Sequence, residues 1–281
     1  MKPLPPLFLL VLMTVAAGAA GWLGARAPHH GEPAETPAGA YASLHGLRMY
    51  YEIHGTGARA LLALHGGGGG IEDLDRQIPE LAKRYRVIAP EQQGHGRTGD
   101  IDRPLSYHAM AEDTLALLDL LRVDRADCFG WSDGGDVCLD LAMHHPDRIG
   151  RVVTSGANAR PEGTRPDAIA WARRARGVDL VDPARYARLS PDPPAHIEII
   201  GRKVLDLWTR EPQWTDADLA TIRAPVLLIA GEHDMTIRAH TDWMAASIPH
   251  AEELIFPGAS HHVLREQPAP FNAAVLAFLA R

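Results

Sequence analysis

The chain has 281 residues, of which 46% are hydrophobic, and a formal net charge of −7. This length suits one large α/β domain or two small ones, with enough apolar residues to fill a core. No contiguous basic stretch is present, so the composition argues against nucleic acid as a partner, and the negative charge argues weakly against an anionic membrane surface. The two cysteines, Cys128 and Cys138, occupy apolar positions. Buried free thiols are the simplest expectation there. A disulfide between them is possible only if the chain is exported, and geometry would decide it.

The amino-terminal segment is strongly apolar. Between Lys2 and Arg26 it carries no charge and is rich in Leu, Val, Ala and Gly. Residues 1–27 therefore predict a secretory signal peptide with small residues near its end, suited to cleavage. The alternative is an uncleaved membrane anchor, because the run is long enough to form a transmembrane helix. Residues 28–40 predict a flexible linker. A cleaved signal peptide would place the rest of the chain in the periplasm or the medium, and an uncleaved anchor would hold it on the membrane, outside the cytoplasm in each case.

From residue 41 onward, apolar runs typical of buried strands alternate with helical patterns. The predicted strands are a hairpin over 41–53 and runs at 60–64, 86–90, 126–131, 151–155, 224–231 and 252–257. The predicted helices cover 71–85, 107–121, 136–145 and 270–281. This alternation predicts one α/β domain over 41–281, with a mostly parallel central sheet of about eight strands and helices on both faces.

Residues 159–218 interrupt the alternation with a looser pattern, rich in Pro, Arg, Asp and Ala. In parallel sheets, ligands bind beyond the carboxyl ends of the strands, so we expect this insertion to form a small helical lid over the site. Trp171 and Trp208 lie in short helical stretches of the lid, and Trp131 lies in the preceding strand. All three are candidates to contact a substrate, although Trp171 and Trp208 would equally suit packing of the lid onto the body.

The sequence Gly130-Trp-Ser-Asp-Gly134 joins a predicted strand directly to a predicted helix. A serine on such a tight turn has its hydroxyl clear of the sheet, and glycines are needed on either side to avoid collisions with the neighbouring strand and helix. The five-residue pattern alone is weak, but its position between a strand and a helix makes it specific. Ser132 is therefore the candidate nucleophile.

A serine hydroxyl needs a base, and the base needs an acid that orients it. Gly231-Glu-His-Asp234 follows one strand and Gly258-Ala-Ser-His-His262 follows the next. The order along the chain is serine, acid, histidine. Asp234 is the preferred acid, because Glu232 is nearer the strand end and is expected to point elsewhere. The residues by themselves leave the choice between the two histidines open.

Acyl transfer also needs donors for the oxyanion that forms on the substrate. The backbone N–H of Asp133, at the start of the helix, would supply one. The second would come from the glycine run after the strand at 60–64, most plausibly from Gly67. A phosphate-binding loop is disfavoured, because no Lys-Ser or Lys-Thr follows the glycines.

Taken together, these motifs resemble the α/β-hydrolase superfamily over residues 41–281. The matching segments are His65-Gly-Gly67, Gly94-His-Gly-Arg-Thr98, Gly130–Gly134, Gly231–Asp234, and His261 followed by Glu266 and Pro268. The closing pattern of the family implies His261 as the base, with Ser132 as nucleophile, Asp234 as acid, and Gly67 and Asp133 at the oxyanion hole. Glu91 and Thr98 stand where the family usually has Asp and Ser, in a loop where we expect little effect on the chemistry.

The sequence around Ser132, with Gly156-Ala-Asn158 at the next strand end, is also similar to valacyclovir-hydrolase-like (biphenyl-hydrolase-like) members. That likeness implies small carboxylic esters with an amine nearby. The expected function is thus a serine hydrolase that cleaves a small carboxylic ester through an acyl-enzyme, without a metal or organic cofactor. Alternatives on the same residues are a carbon–carbon bond hydrolase, a lactonase or amidase, or a perhydrolase. A non-catalytic binding protein of the same fold is the other class considered.

Overall fold

A computed structural model describes residues 39–281, and an eight-stranded sheet forms its centre. The strands are β1 (Ala40–Leu44), β2 (Leu47–His54), β3 (Ala60–Leu64), β4 (Arg86–Pro90), β5 (Ala126–Trp131), β6 (Ile149–Ser155), β7 (Val226–His233) and β8 (Ala251–Ser260). Their order across the sheet is β1-β2-β4-β3-β5-β6-β7-β8. The β1–β2 and β2–β4 pairs are antiparallel and all the others are parallel. The predicted fold class, with its mostly parallel sheet, is confirmed.

The central strands are apolar along their length because both of their faces are covered. Every residue of β5 is buried, and so are four of the five residues of β3. The helices that flank the sheet or form the lid are α1 (Ile78–Leu81), α2 (Tyr107–Leu120), α3 (Asp133–His144), α4 (Pro166–Ala172), α5 (Gly177–Leu180), α6 (Pro183–Leu189), α7 (Ile197–Trp208), α8 (Asp216–Leu219), α9 (Arg238–Ser247), α10 (Val263–Glu266) and α11 (Pro268–Leu279).

The continuous helix predicted over 71–85 is wrong. The structure has a 3₁₀ helix at Ile71–Leu74 and then α1, which has a proline, Pro79, in its first turn. Proline fits the first turn of a helix but would break one that ran through it, because it lacks an N–H group. The segment therefore forms two short pieces.

The lid is the helical insertion that we predicted between β6 and β7. Residues 159–218 contain α4–α8 and two 3₁₀ helices. Most of the apolar residues of α7 face inward, since Ile197, Ile200 and Val204 are buried. An isolated bridge between Thr164 and Thr236 joins the start of the lid to the loop after β7.

The cysteines are paired, so the expectation of free thiols is wrong. Cys128 in β5 and Cys138 in α3 form a disulfide, with Cα atoms 5.8 Å apart. Both residues are fully buried. α3 packs back against β5, the strand that it follows, and this brings the two cysteine side chains face to face. Sequence spacing alone does not reveal this contact.

The transmembrane helix offered as an alternative for the amino terminus also needs correction. Within residues 39–281, no helix is long and apolar enough to cross a membrane. The transmembrane assignment is therefore withdrawn. The predicted signal peptide at 1–27 and nearly all of the predicted linker at 28–40 lie outside the described residues.

Candidate active site

Ser132 lies at the turn between β5 and α3, as the motif predicts. Its backbone φ is +53°, a left-handed value that is uncommon for a residue with a side chain. The turn is held by a 2.8 Å hydrogen bond from the Ser132 N–H to the carbonyl of Ser155, at the end of β6. A Cβ atom added at Gly134 would lie 2.3 Å from the carbonyl oxygen of Leu64 in the adjacent β3. The close packing that the flanking glycine was expected to permit is thus present.

Asp234 and His261 form a buried hydrogen-bonded pair beyond the ends of β7 and β8. His261 Nδ1 lies 2.7 Å from Asp234 Oδ1, and the two side chains are 7% and 1% exposed. The N–H groups of Gly231 and Thr236 also donate to the Asp234 carboxylate. Burial acts to raise the pKa of Asp234, but the hydrogen bond and the charge of His261 outweigh it, so the net pKa is lowered. Asp234 is therefore held as an anion that orients the imidazole.

A glycine at the end of β6 makes room for this pair. Gly156 has a φ of +68°, and a Cβ atom placed there would lie 2.6 Å from both Nδ1 and Cε1 of His261. Any side chain at this position would displace the imidazole. Gly156, Ser132 and His261 line the same cavity, so the structure brings the predicted nucleophile and base to one site.

The sequence predicts an oxyanion hole formed by the backbone N–H groups of Gly67 and Asp133. Within residues 39–281, neither Gly67 nor Asp133 donates its N–H to another residue. Both residues border a small void directly beside the nucleophile turn. The glycine run passes close to the nucleophile, since a Cβ atom at Gly66 would lie 3.2 Å from Ser132 Cβ. The oxyanion hole itself stays a prediction.

Two buried histidines hold the glycine run in place, a function that the sequence patterns did not reveal. His65 Nδ1 lies 2.8 Å from the Gly66 carbonyl, and its Nε2 accepts from the N–H of Gln92. His95 accepts from the N–H of Gly68 through Nε2. Each ring therefore needs one proton only, and burial lowers the pKa of both, that of His65 to about 3. They act as neutral, directional hydrogen-bonding groups beneath the glycines.

The cavity above Ser132 has a volume of about 70 Å³. A single water needs about 10–15 Å³ by the same measure, so the space suits a small substituent. Its walls are mostly apolar on the lid side, from Ile169, Trp171 and Trp208, with Met235 from the body.

Two carboxylic acids also face this cavity, and the sequence analysis assigned no role to their side chains. Asp133 accepts hydrogen bonds from Trp208 Nε1 (2.8 Å) and from the Tyr107 hydroxyl (3.2 Å). Burial raises the pKa of Asp133 to about 6 and raises that of Asp136 well above its ordinary range. Above about pH 6, Asp133 therefore supplies a negative charge to the cavity wall.

The three tryptophans predicted to contact substrate have different positions. Trp171 and Trp208 line the cavity, whereas Trp131 does not. Trp131 Nε1 instead donates to the carbonyl oxygen of His261 at 3.0 Å, and its ring centroid lies 5.7 Å from that of His261. The expectation for Trp131 is corrected: it packs behind the histidine and positions its backbone.

The neighbouring residues at the two strand ends have different surroundings. Glu232 is exposed and accepts a hydrogen bond from the N–H of Gly258, away from the histidine. His262 is exposed, and its ring stacks beside Trp131 with centroids 5.4 Å apart. Asp234 and His261 are the acid and histidine that contact each other.

Comparison with known proteins identifies the superfamily. A family model described as "alpha/beta hydrolase fold" matches residues 59–189. The chain is 31% identical over 259 residues to RutD of Caulobacter sp. (strain K31), provisionally named a carbamate hydrolase; the match covers 83% of this chain and 96% of RutD. The chain belongs to the α/β-hydrolase superfamily.

Two further proteins are similar to most of this chain. The serine hydrolase BPHL of Homo sapiens is 28% identical over 269 residues, covering 85% of this chain and 86% of BPHL. The crystal structure of the enol-lactonase from Burkholderia xenovorans LB400 is similar with a TM-score of 0.70 and 26% identity, covering 86% of this chain and all of that chain. These similarities support a hydrolytic function.

Proposed function

We propose that this protein is a serine hydrolase that cleaves small carboxylic esters through an acyl-enzyme. The observation that carries the proposal is the buried 2.7 Å contact between Asp234 and His261, in a cavity that also contains Ser132. Asp234 holds the imidazole with a proton on Nδ1, which leaves Nε2 free to accept the proton of the serine hydroxyl. Hydrolase relatives of similar length support the same class of reaction.

The reaction follows from these positions. His261 takes the proton of Ser132 while Oγ bonds to the ester carbonyl carbon, and the N–H groups of Gly67 and Asp133 bind the resulting oxyanion. The C–O bond to the alcohol then breaks, and the alcohol leaves with the proton from His261. Water adds to the acyl-enzyme by the same route in reverse and releases the acid and free Ser132.

The Ser132–His261 hydrogen bond is not formed within the described residues. Such contacts are often long in unliganded enzymes and shorten when substrate binds. The proposal therefore rests on the shared cavity and on the Asp234–His261 pair.

The test uses the purified full chain with a fluorescent phosphonate that labels reactive serines, and with short nitrophenyl esters. Labelling and ester cleavage are expected, and Ser132→Ala should abolish both. Ser155→Ala is the matched control, because Ser155 ends the neighbouring strand and its hydroxyl is buried without a partner. A wild-type protein that is folded but neither labels nor cleaves any ester or lactone would refute the proposal.

We further propose that preferred esters carry a positively charged amine near the carbonyl. The support is the Asp133 carboxylate, which faces the cavity beside Ser132 and is ionised above about pH 6. A hydrogen bond between a charged donor and a charged acceptor contributes about 1.5–3 kcal/mol, or roughly 10–150-fold in binding. An α-amino ester is one compound of suitable shape, since its ammonium lies two bonds from the reacting carbonyl carbon.

A pair of substrates separates this preference from the basic activity. The nitrophenyl esters of alanine and of propionic acid differ by the amino group alone. Asp133→Asn should lower the ratio of their kcat/KM values about 10–100-fold and leave cleavage of the propionate ester nearly unchanged. In the wild type, the ratio of the two kcat/KM values should decrease when the pH is lowered below about 6, because Asp133 then takes up a proton. A ratio that Asp133→Asn leaves unchanged would end the amine proposal while leaving the esterase proposal intact.

We also propose that the protein acts outside the cytoplasm, in the periplasm or the medium. The support is the buried Cys128–Cys138 disulfide, because disulfides persist in oxidising compartments, together with the apolar sequence at residues 7–25. Cell fractionation with antibody detection tests this. Recovery of the full-length protein only from the cytoplasm, with both thiols reactive after denaturation, would contradict it.

A further inference from the structure

We propose that His108, Asp140 and His144 form a surface site for a divalent transition-metal ion, with zinc as the best match, that clamps α2 to α3. His108 is the second residue of α2, and Asp140 and His144 are four residues apart near the end of α3. None of the three lines the active-site cavity. The site is thus separate from the proposed ester chemistry.

The geometry is that of three ligand atoms arranged around one point. Asp140 Oδ1 lies 2.9 Å from His108 Nδ1 and 3.2 Å from His144 Nδ1, and all three candidate ligand atoms lie within 4.8 Å of one another. Four ligands bound tetrahedrally to zinc at 2.0–2.1 Å are separated by about 3.3 Å. Two of the three distances already approach this value, so small rotations of exposed imidazoles would complete the triangle.

The surroundings favour metal binding over two ordinary ion pairs. Both imidazoles converge on the same carboxylate oxygen, and their ring centroids are 4.6 Å apart. The Asp140 side chain is only 3% exposed and is fixed by its helix, whereas the His108 and His144 side chains are 56% and 48% exposed. The buried Asp140 carboxylate would hold one side of the metal, and the two exposed imidazoles can rotate toward it. The solvent side stays open, where water would be the fourth ligand.

The ligand set indicates which metals would bind. Two imidazole nitrogens and one carboxylate suit zinc, cobalt, nickel or copper, whereas magnesium and calcium prefer oxygen ligands alone. On binding, the metal replaces the Nδ1 proton of each histidine, which His108 now donates to the Asp140 carboxylate and His144 to the main-chain carbonyl of Asp140. The negative end of the α3 dipole lies nearby and also favours a cation.

Sequence reasoning missed this site because its spacing is not that of a metal motif. Asp140 and His144 share one helical face, but His108 comes 32 residues before Asp140 and meets it only through the packing of α2 on α3. No metal was expected from the sequence, and this proposal departs from that expectation.

The first experiment titrates zinc into the full-length protein after treatment with a chelator. Calorimetry should show a binding event that disappears in His144→Gln, and saturating zinc should raise the Tm of the wild type by about 5–10 °C. Cobalt(II) should give visible d–d absorption typical of tetrahedral coordination. His145→Gln is the matched control, because His145 is the next residue and pairs instead with Glu112 at 2.6 Å; it should bind zinc as the wild type does.

The variant comparison makes the result decisive even though the chain has 15 histidines. Only the binding event lost on His144→Gln is assigned to this site. Exposed His108→Gln should lose the same event, so the test does not depend on the folding of any single variant. Equal zinc binding by the wild type, His144→Gln and His108→Gln would overturn the proposal, as would loss of binding in His145→Gln alone.

Discussion

The carboxyl edge of the sheet and the lid meet at one cavity but are built in different ways. At the sheet edge, Ser132, Asp234 and His261 each follow a strand, and hydrogen bonds hold their turns or side chains. The lid, residues 159–218, consists of short helices without a strand of its own and reaches the body partly through ion pairs. Examples are Arg185 with Asp73, at 2.9 Å, and Arg188 with Glu72, at 2.8 Å.

The difference between the two regions implies that the sheet edge determines the proposed reaction and the lid determines which substrates fit. The sheet edge is fixed by backbone geometry, so short sequence motifs are enough to encode the reacting groups. The lid supplies Trp171, Trp208 and Ile169 to the cavity wall. It is held by buried apolar residues of α7 and by contacts such as Lys203 with Asp100, at 2.8 Å, as well as by more exposed ion pairs. Ion pairs that are partly exposed contribute little to stability, and elements held this way are expected to open more readily than the sheet.

The largest effect should separate the two adjacent histidines. His261→Ala removes the proposed base and should lower kcat for a nitrophenyl ester by about 10⁵-fold or more. His262→Ala removes an exposed ring that stacks on Trp131 and should change kcat by less than about tenfold. Steady-state kinetics of both variants checks this, with circular dichroism to confirm folding. Comparable losses in the two variants would show that the histidine is wrongly assigned.

The next effect concerns the acid. Asp234→Asn keeps the size of the side chain but removes the charge that holds a proton on His261 Nδ1, and kcat should fall by about 10⁴-fold. Glu232→Gln is the control from the same loop, because its carboxylate is exposed and bonds only the N–H of Gly258. The prediction fails when Asp234→Asn retains more than about a tenth of wild-type kcat.

Sequence reasoning was most successful in placing residues at the ends of strands, where Asp234 contacts His261 and Ser132 lines the same cavity; their catalytic roles stay predictions. The motif at Ser132, the acid at Asp234 and the choice of His261 required only local patterns and the order of elements, since parallel strands bring their carboxyl ends together. The same logic failed for Trp131. Successive residues of a strand point to opposite faces, so its place beside Ser132 in sequence did not put its ring in the cavity.

What the sequence could not show arises from contacts between distant elements. The Asp133 side chain meets Trp208 of the lid and Tyr107 of α2. Its pKa is raised by burial and lowered in part by the hydrogen bonds from these two residues. The disulfide and the His108–Asp140–His144 cluster likewise depend on how neighbouring elements pack on α3. The pattern of a single segment carries no information about such pairings.

A third prediction tests the energetic cost of burying Asp133. Its pKa is raised from 3.8 to about 6 by burial, so folding favours the protonated form. The contribution of this group to stability is present below about pH 4 and is lost as the pH rises through 6. Asp133→Asn removes this dependence, and its stability relative to the wild type should increase by about 2 kcal/mol between pH 4.5 and 7.5.

Urea unfolding at several pH values measures this difference. Ser155→Ala is the control, because Ser155 is buried beside the same turn and its hydroxyl does not titrate in this range. Its stability relative to the wild type should therefore stay constant with pH. A constant difference for Asp133→Asn as well would mean that Asp133 is not the titrating group.

The smallest effect should come from the contact between the lid and the body. Arg188→Ala removes the pair of hydrogen bonds to Glu72, both of which involve exposed side chains. We expect amide hydrogen exchange in α6 to accelerate by less than about tenfold, with Tm almost unchanged. Arg165→Ala is the matched control, since Arg165 pairs with Asp167 inside the lid and should leave exchange in α6 unaltered. If high salt accelerates exchange in α6 of the wild type but not of Arg188→Ala, then the Arg188–Glu72 pair carries the lid contact. Equal exchange in the wild type, Arg188→Ala and Arg165→Ala would mean that apolar packing of α7, rather than charge, holds the lid.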